Sequence, residues 1–329
     1  MMRKHLLAVA VSGAAALALA SPVADAAPSQ SKAPAGVAVK HLDASKAEHD
    51  RIVAYWTPQR MRAAIPADVL VADRDKSSAT GNVAAGRPYV VQPQAKPGTG
   101  GGAGSGSYYT GGGNIVKTTG KVFFTMGGGN YVCSGSSTAS NNHDVVTTAG
   151  HCVNEGPGAY VINFAFVPAY DDGARPYGTF TARALATTDA WANDGDFDYD
   201  VGFAVVNPPA NSVDLTDRVG SQGIGFNLAT GQEMYSFGYP AARPYDGTDI
   251  AYCFGTVFPD TYGGSSDQGM NCNMTGGSSG GPWLQNYNTT NGGTIASVNS
   301  FGYRGVKNIM WGPYFGSVIQ STYNAAQSL

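Results

Sequence analysis

The chain has 329 residues, a formal net charge of −3, 43% hydrophobic and 13% charged residues, and 45 glycines. That length holds one large domain or two small ones. Low charge with abundant glycine argues against a helical cytosolic protein and for a β-rich extracellular one.

Arg3, Lys4 and His5 give a basic start, and Leu6 to Ala20 form an apolar run. Ala24-Asp25-Ala26 supplies small residues around a cleavage point, with Ala18-Leu19-Ala20 as a competitor. The pattern predicts a secretory signal peptide over residues 1–26, hence a secreted, extracellular protein. The run is too short to span a bilayer comfortably, and no later stretch approaches ~20 apolar residues, so no membrane partner is expected.

Residues 27–105 contain no cysteine and most of the helix-like pattern. Ser45 to Glu48 has the form of a capping box, and an amphipathic run continues to Trp56. Thr57-Pro58 reads as a cap followed by proline at the first helical position, with Pro66 ending that piece. Pro97 to Gly113 is glycine-rich and reads as a linker. This region carries +4, whereas residues 106–329 carry −8. A basic leader beside an acidic domain suggests that the two bind each other. The acidic domain argues against a nucleic-acid partner.

From Tyr108 onward the apolar runs are short and separated by Gly, Asn, Asp and Pro. They include Val145–Ala149, Tyr160–Val167, Val201–Val206, Glu233–Phe237 and Thr294–Val298. Many short strands predict a barrel or sandwich. Pro313 to Tyr323 is expected to form a closing helix. Cys133, Cys152, Cys253 and Cys272 form two local pairs. In an exported protein these read as disulfides. Of the possible pairings, Cys133–Cys152 and Cys253–Cys272 close the shortest loops.

Three segments carry chemistry. They are Val146-Thr147-Thr148-Ala149-Gly150-His151-Cys152, Asp198-Tyr199-Asp200-Val201-Gly202-Phe203 and Gly276-Gly277-Ser278-Ser279-Gly280-Gly281-Pro282. Together they supply a histidine, a carboxylate and a serine in a tight glycine turn. A serine hydroxyl is a weak nucleophile until an imidazole accepts its proton. A buried carboxylate then fixes the imidazole tautomer and stabilises the cation. All five histidines, at 5, 41, 49, 143 and 151, precede Ser279. An α/β-hydrolase would need its histidine after the serine, so that reading fails, and the order His, Asp, Ser remains.

Thr-Ala-Gly-His-Cys and Gly-x-Ser-Gly-Gly-Pro resemble the two signature segments of chymotrypsin-like serine peptidases, more loosely those of bacterial secreted members including the glutamyl endopeptidase branch. The likeness covers roughly residues 108–329. It implies an all-β fold of two antiparallel six-stranded β-barrels with a short C-terminal helix, barrel 1 over about 108–215 and barrel 2 over about 216–329. The barrels would follow a small, partly helical propeptide at 27–105. It also implies His151 as general base and acid, Asp200 as its orienter and Ser279 as nucleophile. Gly277 and Ser279 would supply the oxyanion-hole N–H groups. Asp198 stays open as an alternative orienter, because Asp194, Asp196, Asp198 and Asp200 alternate. The same cluster could instead hold calcium.

The implied activity is endopeptidase cleavage of protein or peptide substrates by a monomer, without cofactor or metal. The propeptide would be a further partner. A secreted binding protein on an inactive protease fold, or an esterase or amidase, is the alternative. The chain departs from the family in two ways. Ser278 stands where animal members carry an aspartate that pairs with a freed N-terminus. Asn299 stands where glutamate-specific members place a pocket histidine. Asn273 aligns with the floor of the specificity pocket. Ser300 would support Asp200, and Phe301 and Gly302 would pair with the substrate backbone.

Overall fold

A strand whose two faces are both covered reads as a continuous apolar or small-residue run, whereas a half-exposed strand alternates. Thr119–Met126, with Lys121-Val122-Phe123-Phe124 at its centre, is buried at every position. It must therefore lie inside a closed or layered structure. The computed structural model describes residues 36–74, 76, 83, 85–94, 106–209 and 212–329. The expected signal peptide and linker residues 97–105 lie outside these. The described residues belong to one packed unit, Ala33–Leu329.

The N-terminal segment contributes β1 (Val37–His41), α1 (Lys46–Tyr55), α2 (Pro58–Ala63), β2 (Ile65–Pro66) and β3 (Tyr89–Val91). Both predicted caps are present. Ser45 Oγ accepts from the Glu48 N–H at 3.2 Å and Thr57 Oγ1 from the Arg60 N–H at 3.2 Å. Each satisfies an orphan donor at a helix start.

After β4 (Ser107–Tyr108), six strands make a closed antiparallel barrel. They are β5 (Thr119–Met126), β6 (Gly129–Thr138), β7 (Val145–Thr148), β8 (Ile162–Pro168), β9 (Phe180–Thr188) and β10 (Gly202–Asn207). They pair in the order β5-β6-β7-β10-β9-β8, and β8 returns to β5. Alternation sends Val122 and Phe124 into one core with Phe166 and Phe180. Phe123 goes to the other face, where Trp56 of α1's end packs 5.4 Å from its ring.

The second half holds β11 (Gly223–Phe226), β12 (Glu233–Gly238), β13 (Ala251–Thr256), β14 (Phe258–Pro259), β15 (Gln268–Asn271), β16 (Pro282–Asn288), β17 (Gly292–Val298) and β18 (Ile309–Gly312). A seven-stranded sheet runs β3-β11-β17-β16-β12-β13-β4, and β14-β15-β18 form a smaller one. The closing helix spans Ser317–Ala326, a few residues later than the sequence suggests. It buries Ile319, Tyr323 and Ala326 on one face, as i, i+4, i+7 spacing requires. The Tyr323 hydroxyl donates to the Ala139 carbonyl at 2.6 Å, tying the C-terminus to the first barrel.

The N-terminal segment is more than helical. β1 pairs antiparallel with β9, β2 parallel with β6, and β3 antiparallel with β11. It therefore adds strands to both large sheets.

Candidate active site

β7 ends at Thr148, and a single turn, Gly150–Cys152, carries His151. The turn is held on one side by the Cys133–Cys152 disulfide to β6. Closing a loop of that size contributes about 3 kcal/mol in the chain-entropy description. The second disulfide, Cys253–Cys272, links β13 to the chain leaving β15. Both pairings are those the spacing suggests. Gly150 must be glycine, since a Cβ there would lie 2.8 Å from Asp200 Oδ1 and 2.8 Å from the Trp191 ring.

Asp200 enters just before β10, as its place ahead of the apolar run suggests. Its Oδ1 accepts from the His151 backbone N–H at 2.8 Å. Its Oδ2 lies 2.7 Å from His151 Nδ1 and accepts from the Ser300 hydroxyl at 2.5 Å. The alternating acidic run thus divides its tasks. Asp196 caps a short turn through the Asp198 N–H, Asp198 accepts from the Ser266 N–H at 2.8 Å, and Asp200 alone meets the histidine.

Burial by itself would lower the proton affinity of His151. The Asp200 charge and hydrogen bond, with the Asp68 charge added, outweigh that and raise it. Burial would raise the Asp200 pKa. The charge of His151 and the hydrogen bonds from His151 and Ser300 prevail and lower it.

Ser279 sits in the turn between β15 and β16. Ser134 of β6 grips this turn from the first barrel, its N–H donating to the Ser279 carbonyl at 2.7 Å and its hydroxyl to the Gly277 carbonyl at 2.9 Å. Gly277 has φ of +94°, a conformation that disfavours side chains. The Gly280 N–H donates to the Asn299 carbonyl at 2.7 Å, and the Asn299 side chain donates to the Ser278 carbonyl at 3.0 Å. Asn299 therefore builds the turn.

One contact has no counterpart among the sequence motifs. The Ser279 hydroxyl donates to Asp68 Oδ1, and the Gly277 N–H donates to Asp68 Oδ2 at 3.1 Å. Asp68 Oδ1 is 3.9 Å from His151 Nε2. His151 Nε2 has no hydrogen-bond partner among the described residues, so the serine hydroxyl is turned to the carboxylate and away from the imidazole. Asp68 lies in Ala67-Asp68-Val69-Leu70, a stretch with no motif to mark it.

A cleft of about 560 Å³ opens beside Ser279, lined among others by Asn273, Ser300, Phe301 and Gly302. The Asn273 amide is engaged in it, accepting from the Tyr245 hydroxyl at 2.8 Å and donating to the Gly106 carbonyl at 3.2 Å. Phe301 packs edge-on against Phe197 at 5.0 Å, and both pack with Trp191, Trp311 and Val71.

No family model and no curated protein matches the chain. Solved structures do. The protease Anisep from Arthrobacter nicotinovorans is 48% identical, with a TM-score of 0.63, over 73% of this chain and all of its own. The thermostable serine protease AL20 from an extremophilic microorganism is 44% identical, with a TM-score of 0.61, over 65% of this chain and 99% of its own. A Glu endopeptidase shares the fold at 20% identity and a TM-score of 0.51.

Proposed function

The chain belongs to the chymotrypsin-like serine peptidases and is a serine endopeptidase, and on that premise we propose that His151, Asp200 and Ser279 are its catalytic triad. The observation that carries this reading is the seat of one small anion. The Asp68 carboxylate touches the Ser279 hydroxyl and the Gly277 N–H together, with His151 behind it. A reacting carbonyl needs such a position, within reach of both nucleophile and oxyanion donors.

With that position given to substrate, the Ser279 oxygen attacks the peptide carbonyl and its proton passes to His151 Nε2. Negative charge collects on the carbonyl oxygen, facing the N–H groups of Gly277 and Ser279. His151 then returns the proton to the leaving amine, and water repeats the sequence on the acyl-enzyme. Asp200 holds Nδ1 throughout.

Residues 106–329 form the peptidase domain of this proposal and residues 27–105 a propeptide. Anisep is matched over its full length without part of this chain, which supports a removable segment. Two disulfides support an oxidising, extracellular destination. Among the described residues no helix is long and apolar enough to cross a membrane.

Two results are expected. A fluorophosphonate added to the chain cut between residues 95 and 105 and freed of its N-terminal segment modifies Ser279, as read by peptide mass spectrometry, and modification of any other serine instead would overturn the assignment. Peptide-library profiling yields cleavage mainly after uncharged side chains, because Asn273 is neutral and committed to Tyr245 and Gly106, and no histidine follows residue 151. Dominant cleavage after Glu, Arg or Lys would refute this account of the pocket.

The rate on such peptides should also climb as pH rises through the ionisation of His151, which must be neutral to accept a proton. Its pKa is raised by Asp200, so the midpoint is expected at or above the ordinary imidazole value of ~6.5. A rate that is flat from weakly acid to alkaline pH would exclude a histidine base.

A further inference from the structure

We propose that the active-site cleft is a binding surface for an aspartate-bearing peptide lying opposite in direction to a substrate, and that Ile65–Arg74 is its built-in occupant, with the Asp68 carboxylate in the oxyanion position. The inference rests on the triad reading above.

The path of the segment is fixed at three points. Ile65 and Pro66 pair with Tyr131 and Val132 on β6, next to Cys133. Asp68 then crosses the nucleophile. Val71 is buried against Trp191, Phe197, Phe301 and Trp311. Beyond it the Lys76 ammonium donates to the Val71, Ala72 and Arg74 carbonyls at 2.7, 3.3 and 3.0 Å, folding the end of the segment back on itself. The chain therefore runs from the β6 side to the Phe301 side. On the expected pairing of the substrate's acyl part with Phe301 and Gly302, a substrate would place its leaving part toward β6, the opposite order.

That polarity has a chemical consequence. The group offered to Ser279 is a side-chain carboxylate, which is already an anion and carries no amine to expel. Attack on it would have to break a carbon–oxygen bond with loss of oxide, so the contact persists without turnover. The loop is shaped to admit it. A Cβ on Gly276 would fall 2.2 Å from Asp68 Oδ2 and 2.9 Å from the Pro66 Cβ. Opposite net charge on the two regions, +4 and −8, favours their association.

Charge also couples the plug to the base. Asp200 and Asp68 both face His151 and raise its proton affinity, while Arg74 opposes them. Seating of Asp68 and protonation of His151 consequently favour one another.

The test is the rate at which a fluorophosphonate modifies Ser279 in the intact, uncut chain, followed by mass so that cut molecules are excluded. Asp68→Ala is expected to label at least tenfold faster than wild type, and Asp68→Asn, which keeps size but not charge, in between. The midpoint of labelling against pH should sit higher for wild type than for Asp68→Ala. Equal rates and midpoints, in variants whose circular dichroism matches wild type, would overturn the plug. So would self-cleavage at the Ala67–Asp68 or Asp68–Val69 bond, which only a substrate-like direction permits. If the chain cut between 95 and 105 fails to label even after the N-terminal segment is removed, the triad reading fails instead.

Discussion

Ser279→Ala is expected to lower kcat on peptides by roughly 10⁵–10⁶-fold while leaving the fold intact. The side chain is small, and the turn that carries it is held by backbone contacts. Ser134 reaches the Ser279 and Gly277 carbonyls, and Asn299 reaches the Ser278 carbonyl. Removing one hydroxyl breaks none of these. The neighbouring Ser278 cannot substitute. Its hydroxyl is buried without a hydrogen-bond partner among the described residues, and its Cβ faces Gly238. Steady-state kinetics with thermal unfolding as a control decides the matter. Near-normal turnover by Ser279→Ala would move the nucleophile to Ser278 and undo the mechanism.

The second large effect is expected at Asp200. Asp200→Asn should lower kcat about 10⁴-fold with only a modest change in KM. The reason lies in its partners. The His151 backbone N–H, His151 Nδ1 and the Ser300 hydroxyl all approach as donors. An amide brings an NH₂ group that meets a donor on either side. The cheapest relief is for His151 to move its proton to Nε2, the tautomer that can no longer accept from Ser279. Asp198→Asn supplies the contrast. Asp198 holds the Ser266 N–H, so its loss should lower the melting temperature and leave kcat within about tenfold, as expected of a residue outside the reacting atoms. The reverse ranking would make Asp198 the orienter.

Much of the site could be read from short segments because each sets its own backbone. A glycine before His151 and glycines flanking Ser279 declare a close approach and a positive φ wherever they fall in a chain. The disulfide pairs were readable for a similar reason, as their loops are short. The helices α1 and α2 announced themselves through Ser45, Glu48, Thr57 and Pro58. The partners of the same region did not. β1, β2 and β3 are brief, and their registers are set by strands far along the chain, such as Thr188 opposite Val37 and Ile224 opposite Val91. Asp68 is the extreme case. Nothing near it in sequence distinguishes it from an exposed aspartate, and its meaning comes entirely from Ser279, 211 positions later. The choice between Asp198 and Asp200 likewise depends on which of two buried carboxylates the fold turns toward His151.

The strands β1 and β3 attach the N-terminal segment to both large sheets, and neither attachment runs through residues 95–105. Severing the backbone there leaves every one of those ladder hydrogen bonds in place. The cut therefore converts an intramolecular contact into a two-body equilibrium, whose position depends on how dilute the protein is. A nicked preparation kept concentrated would stay largely silent, and the same preparation diluted into assay buffer would wake with a lag set by dissociation. Departure of β1 would also bare the Ala184–Thr188 edge of β9, a row of backbone donors and acceptors open to any extended chain.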